Sequence, residues 1–293
     1  MTNYLMLIFS DILLAITFAV NKIYQKHMGV SIKAGFLASA LMGLFSATIF
    51  FIVGGFKFSF TPFSLVMAIT STLLVTAYTI ISYKILKFGT MALYTLFLMS
   101  GGMIIPYIWG LLFLGEKFSI LRTLALLLIV IAIIIGNPSD KNSNKKMIYM
   151  CLAIFVLNGF VSVTLKLHQI EENFATVNES DFVVLSGFVR FLISGSFWLF
   201  LKKDKNSNDK ISNRKTVSLI VLMLFISSAI SGISSVLQLN GASNLPATVV
   251  YPVITGGSIV FSSIAGMIMF KEKVTKRLMA SIVICFAATL MFL

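Results

Sequence analysis

Charge is what this sequence has least of. Only 11% of its 293 residues are Asp, Glu, Lys or Arg, against about 25% in soluble domains. A soluble chain of this length could not cover its surface with so few charged groups. No soluble domain fits anywhere, because the longest polar stretch runs only from 202 to 215. Histidine is almost absent, with His27 and His168 near the ends of apolar runs and no His-x-x-x-His spacing. No Gly-x-Ser-x-Gly elbow and no phosphate-binding loop occurs, so neither a hydrolase nor a nucleotide-driven pump is indicated. The expectation is a chain that is not an enzyme and holds no metal or cofactor. The two cysteines, Cys151 and Cys285, fall inside apolar runs and suggest no disulfide framework.

What is present is apolar: 58% of the residues, including 27 Phe and 15 Met. A bilayer core of about 30 Å needs about 20 apolar residues per helical crossing. Ten such runs, separated by charge, Pro or Asn/Ser/Gly, are expected at 3–22, 34–56, 62–86, 90–115, 119–136, 147–168, 180–201, 215–239, 245–270 and 274–293. Barrel strands alternate over about ten residues, whereas 124–135 is unbroken and apolar, so the spans read as helices. The first lacks a preceding basic residue and a small-x-small cleavage site and carries Asp11, so it reads as a retained helix.

The net charge of +13 does not point to nucleic acid, because the basic residues lie in short loops between apolar runs. Eighteen of the 23 sit in the odd-numbered connections. The even ones and their flanks hold four, Lys57, Lys117, Arg122 and Lys166, and Arg190 sits inside a span. Lys and Arg in short loops set membrane orientation. The odd connections are therefore expected in the cytoplasm and both termini outside, in a multi-pass protein of the cytoplasmic (inner) membrane with the lipid bilayer as its environment.

The chain resembles itself. At an offset of 156, Gly101 matches Gly257, Gly110 matches Gly266, Glu116 matches Glu272 and Lys117 matches Lys273; at an offset of 144, Lys22-Ile-Tyr-Gln matches Lys166-Leu-His-Gln. This divides the chain into a first five-helix repeat at 1–137, a linker at 138–146 and a second repeat at 147–293. Five spans is an odd number, so the second unit enters the membrane upside down. Inverted repeats recur in secondary transporters, with the solute site near the midplane between halves.

The cassette of an aromatic and Pro-containing helix, then Gly115-Glu116-Lys117-Phe118-Ser119, then an aliphatic helix ending at Gly136 resembles an EamA-type domain of the drug/metabolite transporter superfamily. Tyr251-Pro252, Lys271-Glu272-Lys273 and the closing helix repeat it, and Arg190-Phe191 resembles the family's Arg-Phe in a unit's second helix. The first half has Met42-Gly43-Leu44 instead. The resemblance implies an all-α integral membrane protein of ten transmembrane helices, arranged as two inverted five-helix repeats, that moves metabolites. Family members usually keep both termini in the cytoplasm, opposite to the orientation expected from the loop charges.

Several residues stand out. A mid-span carboxylate is costly unless paired, protonated or wetted, so Asp11 reads as a cavity group meeting solute or a coupling proton, or as a buried acid satisfied by nearby hydroxyls. Arg190 could receive a carboxylate bidentately or pair structurally with Asp11. Pro106 and Pro252 free backbone carbonyls and bend their helices, beside Ser100-Gly101-Gly102 and Thr255-Gly256-Gly257-Ser258. Loosened segments at corresponding places in two halves point to a transport site, although small residues also serve close packing. Tyr78, Tyr94, Trp109 and Tyr251 read as cavity lining or as an interfacial aromatic belt. Glu179, Asp181, Glu116 and Glu272 read as helix-start acids.

The function these features imply is secondary transport of a small polar metabolite by alternating access, with an amino acid or related amine favoured. Amphiphilic cations or drugs and nucleoside-like metabolites are alternatives, and an intramembrane enzyme or a channel is a remote one.

Overall fold

A computed structural model of the chain describes residues 2–28, 32–88, 91–136, 145–201, 214–270 and 276–292. Ten α-helices run through them: α1 (Thr2–Met28), α2 (Ile32–Val53), α3 (Pro62–Phe88), α4 (Met91–Phe113), α5 (Ile120–Gly136), α6 (Lys145–Gln169), α7 (Glu179–Phe200), α8 (Arg214–Asn244), α9 (Ala247–Phe270) and α10 (Lys276–Leu290). There is no strand among the described residues. Seven helices contain a stretch long and apolar enough to cross a membrane, and three shorter apolar helices lie at Phe97–Phe113, Ile120–Ile135 and Met279–Leu290. The outward surface is apolar, with Phe200, Val53, Ile268 and Leu112 all exposed, as a lipid-facing surface requires.

The ends of the helices follow local chemistry. α2 stops at Val53, three residues short of the expected edge, because Gly55 and Phe56 take positive φ. The Phe56 N–H then returns to the Phe51 carbonyl at 3.0 Å, closing the last turn as in a Schellman-type end. α4 closes in the same way, with Gly115 at φ 62 and the Glu116 N–H on the Gly110 carbonyl at 3.1 Å. α8 runs five residues past the expected 239, through Asn240–Asn244. It stops where Pro246 disfavours helical geometry in the residue before it. α7 starts at the Asn178 cap, whose side chain accepts the Asp181 N–H. Asp181 in turn accepts from the Ser59 N–H at 3.1 Å, so the helix-start reading of this acid holds.

Packing interleaves the two halves of the chain. α1 lies against α8 and α9, and α6 lies against α3 and α4; α2 touches α8, and α7 touches α3. Adding five to each number turns the first member of each pairing into the second. α2 with α7, α4 with α9 and α5 with α10 are their own counterparts. Closest approaches repeat the sequence offsets. A Cβ on Gly43 would lie 2.6 Å from the Gly187 carbonyl oxygen, and one on Gly187 would lie 2.7 Å from that of Gly43. Likewise Gly257 is pressed against Asp11 of α1, while Gly101 is pressed against Phe155 of α6. Gly43 and Gly187 are 144 apart, as are Asp11 and Phe155, and Gly101 and Gly257 are 156 apart.

Two cores result. One joins α4, α5, α9 and α10 around Ile129, Val250 and Cys285. The other joins α2, α3 and α7 around Ala68, Phe182 and Val189. Both cysteines are free and buried.

Candidate functional site

A cavity of about 530 Å³ opens between the halves, lined by α1, α2 and α3 from the first and by α6, α7, α8 and α9 from the second. It lies in the usual size range of small-molecule sites. Gly43 and Gly187 form part of its wall, so the closest α2–α7 approach also shapes the cavity. Its polar lining consists mainly of hydroxyls, from Ser39, Ser46, Thr72 and Ser231 among others, with Gln238, Tyr78 and Tyr251. Many such hydroxyls are bonded back to their own helix, as Ser231 is to the Ser228 carbonyl at 3.2 Å and Ser235 to that of Ser231 at 2.9 Å. Such bonds keep a hydroxyl satisfied in an apolar setting.

Of the residues expected at the site, Arg190, Tyr251 and Tyr78 line the cavity. The surface of Arg190 is exposed. Its neighbour Ser186, one turn earlier on α7, also lines the cavity, and its hydroxyl has no hydrogen-bond partner among the described residues. Tyr251 donates its phenol to the Ser162 carbonyl at 2.6 Å, tying α9 to α6.

Asp11 lies elsewhere. It is fully buried on α1, outside the cavity wall, with Oδ2 against the bare backbone of Gly257. Neither of its oxygens has a hydrogen-bond partner among the described residues. The expected alternatives of neighbouring hydroxyls or an Asp11–Arg190 pair are therefore not formed: Ser10 turns to the Leu7 carbonyl and Thr17 to that of Leu13. Gly257 is what admits a carboxylate here, since any Cβ would collide with it.

Ser100 and Thr255 are buried beside the helix crossings and do not line the cavity. The side chain of Tyr94 lies outside the described residues. Trp109 packs against Phe113 with tilted rings, centroids 4.3 Å apart, and does not line the cavity. Pro106 and Pro252 sit inside continuous helices. Proline has no N–H for the carbonyl four residues back, which for Pro106 is Gly102. That carbonyl accepts the Ser162 hydroxyl of α6 at 3.2 Å, so the freed acceptor becomes a bridge between the halves.

The start of α9 and the end of α8 are closed by two charged side chains that the sequence pattern does not pair. The Glu116 carboxylate accepts the Ala247 N–H at 2.5 Å and the Thr248 N–H at 2.8 Å, so it caps α9, 131 residues away in sequence. Lys166 donates to the Ala242 carbonyl and, at 2.7 Å, to that of Leu245, at the end of α8. An acid at a helix start and a cation at a helix end both complement the helix dipoles, and the two charges attract each other. Gly110 leaves room for the Glu116 carboxylate, which a Cβ there would meet at 2.7 Å. The repeat match between Glu116 and Glu272 was the available signal; Glu272 itself lies outside the described residues. His168, which the sequence places near the end of an apolar run, is buried and bonded to Ser64 at 2.8 Å and stacked on Phe182 at 3.9 Å, holding α6 to α3 and α7.

No family profile matches the sequence, and no curated protein matches it. Among solved structures, one described only as the crystal structure of a protein superposes with a TM-score of 0.76 at 14% identity, covering 99% of this chain and 97% of its own. That likeness is one of fold.

Proposed function

We propose that the chain is a secondary carrier that moves a small polar metabolite, an amino acid among the candidates, across the cytoplasmic membrane by alternating access. The observation that carries this reading is the hydroxyl-lined cavity walled by helices from both halves of the chain. A solute held there touches both halves, so rocking one against the other changes the side to which it is exposed.

We read the fold as ten membrane crossings in two inverted five-helix repeats of the EamA type, within the drug/metabolite transporter superfamily. The exchange of packing partners on adding five, and the reciprocal Gly43–Gly187 contact, support a two-fold relation between halves. Inversion is tested with single cysteines placed at Lys57 and Leu201, equivalent positions at the 144 offset, in a chain lacking Cys151 and Cys285. An impermeant thiol reagent should label the first from outside and the second only after permeabilisation. Labelling of both from one side would refute inversion.

Transport itself is tested by counterflow. Purified protein in liposomes preloaded with unlabelled metabolites should take up the labelled form transiently above equilibrium. Simple equilibration at rates linear in concentration would indicate a channel instead.

A further inference from the structure

The cavity wall is electrically one-sided. Among the described residues that line it, Arg190 is the only charged one, and no Asp or Glu accompanies it. Its guanidinium has no ion pair or hydrogen bond among the described residues, and Tyr78 is its electrostatic neighbour. The Ser186 hydroxyl, one turn earlier on the same face of α7, is likewise unpartnered. Residues four apart on a helix lie about 5–6 Å apart at Cβ, close enough for both to reach one ligand group. A cavity with one sign of charge concentrates the opposite sign.

We infer that this cavity binds a small organic monocarboxylate, its carboxylate held by the Arg190 fork and the Ser186 hydroxyl and its remainder uncharged. The guanidinium presents two parallel N–H groups that match a planar carboxylate. One cation balances one negative charge, and a phosphate ester dianion would leave a charge uncompensated. A ligand ammonium would find no carboxylate among the described residues of the wall and would face Arg190. Asp11, the acid that could have served an amine, is fully buried on α1 against Gly257 and does not line the cavity. Hydroxyl and amide groups on the ligand find Ser46, Thr72 and Gln238, and an apolar part finds Phe18, Met42 and Phe182. The inference rests on the carrier reading for its physiological meaning, while the binding site itself stands or falls alone.

The test uses the intact purified chain and one matched series of ligands: phenyllactate, phenylalanine, phenyllactamide and phenethylamine. Thermal stability is read with each at about 10 mM, because a ligand that binds the folded state raises the midpoint. Phenyllactate should raise it most, phenylalanine less, and the amide and amine not measurably. Charge-assisted hydrogen bonds contribute about 1.5–3 kcal/mol, so Arg190→Gln should weaken phenyllactate binding by about 10- to 100-fold. Arg190→Lys should recover part of it. An equal response to the amine or amide, no response to the acid, or an unchanged acid response in Arg190→Gln would each overturn the inference. Should Arg190→Gln fail to fold, the wild-type series decides alone. Counterflow separates the two claims. Arg190-dependent binding of acid without transport of any solute would sink the carrier reading and keep the site. Transport of the amine but not the acid would do the reverse.

Discussion

Gly43→Ala should loosen the seam between the halves, and the size of the effect can be worked from the contact. The new methyl would sit 2.6 Å from the Gly187 carbonyl oxygen, 2.9 Å from the Phe191 nitrogen and 3.2 Å from the Arg190 Cβ. The first two are backbone atoms of α7, so no side chain can rotate away. Restoring a contact of about 3.5 Å requires α2 and α7 to part by roughly 1 Å. Overpacking of this kind costs about 1–3 kcal/mol. Alanine returns about 1 kcal/mol through helix propensity, leaving a net loss of up to about 2 kcal/mol. Gly187→Ala meets the mirror-image obstacle, with the Gly43 oxygen at 2.7 Å and the Ala47 nitrogen at 3.0 Å. One displacement relieves both collisions, so the double variant should lose less than the sum of the singles. Gly195→Ala is the control, since its Cβ would meet nothing within 4 Å on the same helix, and it should be neutral or slightly stabilising. Thermal unfolding in detergent, with transport measured in parallel, reads both outcomes. If Gly43→Ala unfolds at the same temperature as Gly195→Ala, or the double loss is fully additive, the reciprocal seam is wrong.

Asp11→Asn preserves size while removing the ionisable group; if Asp11 carries a coupling proton, transport in vesicles loses its dependence on an imposed proton gradient in this variant while the protein still folds. Gradient-driven uptake at the wild-type rate would reduce Asp11 to a buried spacer. Glu116→Gln should weaken the α9 cap, lowering stability by about 1–2 kcal/mol. Paired with Lys166→Met in a double-mutant cycle, it should show coupling above about 0.5 kcal/mol, and independent effects would argue against an interaction between the two charges. A reporter fused after Leu293 should be active only outside the cytoplasm; activity inside would mean that the orientation implied by the EamA resemblance overrides the loop charges.

The sequence by itself determined the helices and their approximate edges, because lipid demands long apolar runs and loops collect the remaining charge. It also determined the two repeat offsets, which reappear in the Gly43–Gly187, Asp11–Gly257 and Phe155–Gly101 contacts. It could not say which face of each helix meets the cavity. In a soluble helix the apolar stripe marks the inside, but here lipid-facing and core-facing sides are both apolar, so the pattern carries no direction. Ser186 and Thr72 therefore look like any other membrane-helix hydroxyls until the structure turns them toward the cavity. Asp11 shows the converse: mid-span acidity suggested a cavity group, yet the rotation of α1 sets it against Gly257. Glu116 looked like the start of its own following helix, and only the packing of α4 against α9 makes it the cap of another. Helix rotation and partner choice depend on small residues and bonds far apart in the chain, and these exist only once the two halves have come together.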